Sequence, residues 1–165
     1  MSTVTGSPGA YAQALQGCWE LTRREDHSES GELKEDPGLG PDPVGLLIYH
    51  ASGHFSAQFM RRDRSREASP APDPGRSGHN NTRSVGGYDA YFGRYTVDEA
   101  AHTVTQILEG ALAPDNVGVV VTRKMEVDGD VLTLRLPTTD ASGASIVRTL
   151  QWRRCPPQDP GQSAT

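Results

Sequence analysis

The sequence predicts an all-β protein, an antiparallel up-and-down barrel of about eight strands with a central ligand cavity, and three observations carry that prediction. Gly17-Cys18-Trp19 opens the foldable region, and Leu150-Gln151-Trp152-Arg153-Arg154 closes it. Between them, segments that alternate apolar and polar residues recur with turn signals at short spacing, and helical periodicity is almost absent. A sheet whose first strand pairs with its last has no open edge. An indole covered by a guanidinium can then plug one end of the interior.

Taken in order, residues 1–13 form a small, polar, Pro/Gly-rich arm expected to be disordered, and residues 156–165 form a tail of the same kind. The barrel is placed at residues 14–155. Tyr11 to Gln16 can form a helical turn leading into the first strand, where Trp19 and Leu21 alternate with Glu20 and Thr22. After a loop from Ser28 to Pro43, Val44–His50 and His54–Met60 read as two strands joined by Ala51-Ser52-Gly53, a hairpin. Residues 61–87 carry many breakers and no periodicity, so they are expected to form a long loop over the barrel mouth. Tyr88–Val97 places Tyr91, Gly93, Tyr95 and Val97 on one face, and His102–Glu109 returns after a turn at residues 98–101. Val117–Val127 is joined to Val131–Leu136 through Asp128-Gly129, among the strongest local hairpin signals. A turn at Asp140–Gly143 leads into the last strand, Ile146–Arg154.

With 165 residues the chain is expected to form one domain. A formal net charge of −5 with both signs interspersed argues against nucleic acid as a partner, and the basic run Arg61-Arg62-Asp63-Arg64-Ser65-Arg66 reads as a solvated loop. No apolar run is long enough to cross a bilayer and no signal-peptide pattern opens the chain, so no membrane partner and a cytoplasmic location are expected. In that compartment the Asn80-Asn81-Thr82 glycosylation match has no meaning, and Cys18 and Cys155 are reduced thiols, although pairing of the end strands would make them neighbours. Five scattered histidines without thiols or carboxylates at matching offsets give no metal site. A P-loop, a dinucleotide glycine fingerprint and a G-x-S-x-G elbow are all missing, so no cofactor is expected.

As a set, the motifs GCWEL, PVGLLIYHASGHFSAQFMRRDR, YDAYFGRYTVDEAAHTVT, VGVVVTRKMEVDGDVLTL and LQWRR resemble the lipocalin-like domain family, relatives of the calycins. They cover most of residues 17–154. The resemblance implies a small-molecule-binding barrel of the kind found in natural-product pathways, some members being cofactor-free cyclases or isomerases and others lacking assigned chemistry. This chain departs from the family habit at Gln106, where relatives often carry a histidine, and at the valines of positions 120 and 121, so a base at position 106 is lost.

Alternation places Tyr91, Tyr95, His102, Gln106, Arg123 and Arg148 on the inward face, with Trp19 and Trp152 at the floor. Buried polar groups need partners, and tyrosines, an amide and guanidiniums suit a ligand bearing carbonyl, enol or carboxylate oxygens. The expected catalytic set is His54, Tyr95, Gln106 and Arg123. The expected ligand contacts are Tyr49, Gln58, Met60, Tyr91, Leu108, Arg148, Trp19 and Trp152. Two registers are open for His54–Met60: with the polar face inward His54 is a general base, and otherwise it is a rim histidine. Arg154 over Trp19 or Trp152 reads as structural closure, while Arg123 and Arg148 can equally pair with acidic side chains across the sheet. Taken with the resemblance, these residues are expected to serve a cofactor-independent cyclase or isomerase acting on a hydrophobic, oxygen-bearing metabolite of a biosynthetic pathway. A carrier of a small apolar metabolite and a purely structural barrel are the rivals. The residues do not specify an oligomeric state.

Overall fold

The computed structural model describes residues 9–65, 84–140 and 142–161. A short helix α1 (Ala10–Leu15) leads into β1 (Gly17–Ser28), followed by β2 (Leu33–Lys34), β3 (Val44–Tyr49), β4 (His54–Met60), β5 (Tyr88–Asp98), β6 (Thr103–Ala111), a 3-10 turn at Pro114–Asn116, β7 (Val120–Asp128), β8 (Val131–Thr139) and β9 (Ser145–Arg154). Every pairing is antiparallel, and β3 to β9 follow one another around the sheet. β1 takes β3 on one edge and β9 on the other, from Trp19 opposite Arg154 to Ser28 opposite Ile146. The result is a closed eight-stranded up-and-down barrel, with two-residue β2 as an appendage on the far end of β1. The expected arm before residue 9, most of the loop after Arg64 with its Asn80-Asn81-Thr82 match, and the last four residues lie outside the described residues.

Alternation explains the core. Trp19, Leu47, Tyr49, Phe55, Ala57, Phe59, Tyr91, Val104, Leu108, Leu132, Leu134, Leu150 and Trp152 all point inward and are buried, while their strand neighbours face outward. Two irregularities break the pattern. In β1 the register against β9 slips between Leu21 and Arg23, and this bulge hands the inward face from Trp19 and Leu21 to Arg24 and Asp26. In β5 a shift at Phe92/Gly93 brings the backbone of β6 so close that a Cβ on Gly93 would lie 1.8 Å from the Ile107 carbonyl oxygen, so only glycine fits.

The two barrel ends differ. At one end lie α1 and the tight turns β3–β4, β5–β6 and β7–β8. The other end carries the longer connections, and the segment from Asp36 to Gly40 folds across it, with Leu39 only 2% exposed. Among the described residues, no helix is long and apolar enough to cross a membrane.

Candidate functional site in the barrel interior

The end beneath α1 is sealed by Arg154, whose guanidinium lies 4.2 Å from the centroid of the Trp19 ring. Nη1 donates to the Gln16 carbonyl at 2.8 Å and Nη2 to the Ala14 carbonyl at 2.7 Å, which ties the end of α1 to β9. Trp19 Nε1 donates to the Leu15 carbonyl at 2.9 Å. Gly17, at φ +133°, leaves the space this arginine crosses, because a Cβ there would lie 2.7 Å from Arg154 Nη1. Trp19, an expected ligand contact, is therefore consumed by closure together with Arg154.

Above that floor runs a buried polar row. Gln106 Nε2 donates to the Tyr49 hydroxyl at 2.6 Å, Arg123 Nη1 donates to Gln106 Oε1, and Arg123 Nη2 lies 3.5 Å from the Tyr91 hydroxyl. Burial pushes the Tyr49 and Tyr91 phenols upward, against the pull of the Arg123 charge, so both are neutral donors at physiological pH. Leu108 packs nearby in the core, and Tyr95 donates to the His50 carbonyl at 2.8 Å rather than joining the row.

Nearer the mouth is a cluster of buried charges. Arg148 grips Asp26 with two bonds, Nε to Oδ1 at 2.7 Å and Nη2 to Oδ2 at 2.8 Å. Arg24 reaches Asp36 at 2.9 Å and lies 3.8 Å from Asp26. Burial works against ionising Asp36, but the Arg24 charge and the amides of Leu39 and Gly38 overcome it and hold the carboxyl below its ordinary range. Asp89, 1% exposed, is the opposite case: burial dominates and pushes its carboxyl up to about 7, and Oδ1 has no hydrogen-bond partner among the described residues. Arg148 Nη1 and Trp152 Nε1 are likewise buried without a partner there.

Between the row and the cluster lies a cavity lined by Arg24, Leu39, Phe59, Tyr91, Arg123, Arg148 and Leu150. It holds about 250 Å³ of space not filled by protein, partly open to solvent, and its enclosed part has room for about one water molecule. The expected central cavity is thus smaller and displaced toward the mouth, because Phe59, Trp152, Leu108 and Leu134 fill the middle.

Four expected lining residues lie elsewhere. β4 turns Phe55, Ala57 and Phe59 inward, which sends His54 and Gln58 to solvent and leaves Met60 half-buried at the strand end. His54 Nδ1 is 2.8 Å from the Ser52 hydroxyl, which also meets His50 Nδ1 at 2.9 Å. Gln58 accepts from the Tyr88 hydroxyl on the outer surface. His102, at φ +53°, belongs to the β5–β6 turn and stacks on Tyr11 at 4.2 Å. A turn residue escapes strand alternation, and three aromatic or small apolar groups outweigh a polar face in choosing the register of β4.

Sequence reasoning missed Arg24, Asp26, Asp36 and Asp89. The β1 bulge inverts the alternation that would have put Arg23 and Glu25 inside, and Asp36 comes from a segment with no period at all. Asp89 was accessible to the same argument as Tyr91, two residues away on the same face. Cys18 and Cys155 are neighbours across the closing strands: the Cys155 amide donates to the Cys18 carbonyl at 2.9 Å, and burial together with the adjacent thiol pushes Cys155 up to about 11. Both are free thiols.

A family model described as a lipocalin-like domain matches residues 16–155. Among solved structures, a bovine odorant-binding protein in complex with a selenium-containing odorant aligns with a TM-score of 0.46 and 12% identity, over 96% of this chain and 80% of that one. No curated protein sequence matches.

Proposed function

Starting from the fact that the chain belongs to the lipocalin-like domain family, we propose that its barrel binds a small hydrophobic metabolite bearing a carbonyl or enol oxygen and acts on it as a cofactor-independent isomerase or cyclase, in natural-product biosynthesis. The observation that carries this reading is the row Tyr49–Gln106–Arg123–Tyr91, which brings the Tyr91 phenol and the Arg123 guanidinium, backed by Gln106 and Tyr49, to one wall of a cavity whose other walls include Phe59, Leu39 and Leu150. Arg123 and Tyr91 polarise the ligand oxygen. The Gln106 bridge holds the guanidinium in place, so little reorganisation accompanies the build-up of negative charge. The apolar wall folds the carbon skeleton into a reactive shape.

Proton transfer needs a group that titrates near neutrality, and His54 is on the outside. Asp89 takes that role. It sits two residues before Tyr91 on the same inward face, and burial gives it the poise of a general acid and base. Ligand entry displaces Leu39, whose segment is held by Asp36 on Arg24 and by Arg61 Nη1 on the Pro37 carbonyl at 2.9 Å.

The test is ligand-observed NMR in D2O with a panel of small apolar ketones and enols. Binding accompanied by α-deuteration or rearrangement, lost in Tyr91→Phe and Asp89→Asn with the fold intact, is the expected result. Binding with no exchange over days would instead make the protein a carrier of a small apolar metabolite. The snug interior favours that second reading to the extent that it leaves little room for a substrate to change shape.

A further inference from the structure

Arginines in this barrel are unevenly satisfied. Arg154 uses Nη1 and Nη2 on two carbonyls, and its Nε lies 3.5 Å from Asp130. Arg148 is 3% exposed, is gripped side-on by Asp26 through Nε and Nη2, and keeps Nη1 without any partner among the described residues. A buried guanidinium nitrogen left unmatched has given up its water without a replacement, and interiors pair nearly every such group. Arg148 also lines the cavity, together with Arg24 and Arg123, and among the described residues no carboxylate lines it. Asp26 and Asp36 are both committed to Arg148 and Arg24, and burial holds the Asp89 carboxyl toward its neutral form, so the charged side chains that line the cavity are three guanidiniums.

From this geometry we propose that the cavity is an anion site, and that the metabolite is a small organic acid whose carboxylate is received by Arg148 Nη1 while its apolar body lies against Phe59, Leu39 and Leu150. The proposal rests on the reading that the cavity binds a small molecule, and it adds the charge of that molecule. A guanidinium edge matches a carboxylate in shape and charge, and the surrounding low dielectric strengthens the pairing. An anion with no carbon skeleton would leave the Phe59, Leu39 and Leu150 walls uncovered, so the site discriminates against bare inorganic ions.

The probes are benzoate, its neutral isostere benzamide, and inorganic phosphate, titrated by calorimetry and by the fluorescence of Trp152, which packs on Phe59 at 5.6 Å. Benzoate is expected to bind at least tenfold more tightly than benzamide, with phosphate weaker than benzoate. Removing Arg148 leaves Asp26 buried and unpaired, so Arg148→Met can fail to fold. Arg148→Lys keeps a charge for Asp26 but has no second nitrogen to offer, and the double variant Asp26→Asn/Arg148→Met removes the buried pair altogether. Both are expected to fold, as read by circular dichroism, and to lose the preference for benzoate. Benzamide binding as tightly as benzoate, or an undiminished preference in folded Arg148→Lys, would overturn the anion assignment and leave the binding reading standing. Phosphate outcompeting benzoate would overturn the organic-acid assignment. Failure of benzoate, benzamide and the neutral ketones alike would remove the binding reading, and this proposal with it.

Discussion

The two ends of this barrel each rely on arginine, and they use it in different ways. Beneath α1, Arg154 covers an indole and bonds two backbone carbonyls, so its Nη1 and Nη2 meet neutral acceptors that the chain cannot remove or titrate, and its one carboxylate contact, Asp130, is solvent-exposed. At the mouth, Arg24 and Arg148 meet carboxylates, a third carboxyl stands nearby with an oxygen unpartnered, and one guanidinium nitrogen is left over. The first arrangement is complete and can only hold. The second depends on protonation and has donors to spare, which is what a site needs. Closure and the proposed site are thus separated along the barrel axis by the Tyr49–Gln106–Arg123 row.

The comparison breaks most visibly at the sealed end. Trp19→Ala removes a fully buried indole from beneath Arg154 and is expected to cost about 3–5 kcal/mol, read as a lowered midpoint in urea unfolding. Arg154→Met keeps the aliphatic stem over the indole but orphans two carbonyls, and should cost about 1–3 kcal/mol. Neither loss should depend on pH between 5 and 8, because the contacts removed are the buried indole and two backbone carbonyls, which do not titrate.

At the mouth the corresponding effect is pH-dependent. Asp89 has a native pKa of about 7 against 3.8 in the ordinary state, so between pH 4 and 7 the folded protein holds a proton that the unfolded chain has released. Stability contributed by this group therefore falls as pH rises through that window, and it stays lost above pH 7. At ~1.4 kcal/mol per pKa unit the full penalty is about 2–4 kcal/mol after allowing for relaxation. Asp89→Asn should remove it, making the variant more stable than the native protein at pH 8 and little different at pH 4. Urea titrations of both proteins across the range check this, and equal slopes would show that Asp89 is not the group that titrates. Asp36 has the opposite sign: its carboxyl lies below the ordinary range, so its contribution is lost only on acidification below pH 4.

How far the sequence reveals this molecule follows the same division. The sealed end was legible because its parts are strand-periodic and chemically distinctive: Gly-x-Trp at one terminus, Trp-Arg-Arg at the other, and alternation to join them. Three of the four members of the interior row, Tyr91, Gln106 and Arg123, were legible for the same reason. The charged mouth was not. A one-residue bulge in β1 reverses which of Arg23, Arg24, Glu25 and Asp26 face inward, and nothing local in Leu21-Thr22-Arg23 marks it. Asp36 and Leu39 reach the interior through a loop whose path is fixed by Arg24 and Arg61, residues distant from the β3 strand it precedes. Register and loop docking are decided by tertiary contacts, so single-sequence periodicity has no access to them.

The smallest expected effect concerns His54, and it is informative because sequence chemistry alone makes it the best base in the chain. Its ring is exposed at the start of β4 and bonded to Ser52 in the hairpin turn, on the outer face of a strand whose inner face is Phe55, Ala57 and Phe59. His54→Ala should therefore change stability by no more than about 0.5 kcal/mol and leave ligand binding and any proton exchange at native levels. An order-of-magnitude loss of exchange in a folded His54→Ala protein would mean that the chemistry occurs at the turn between β3 and β4, at the sealed end. The proposed division between a sealing end and a ligand-binding end would then be reversed.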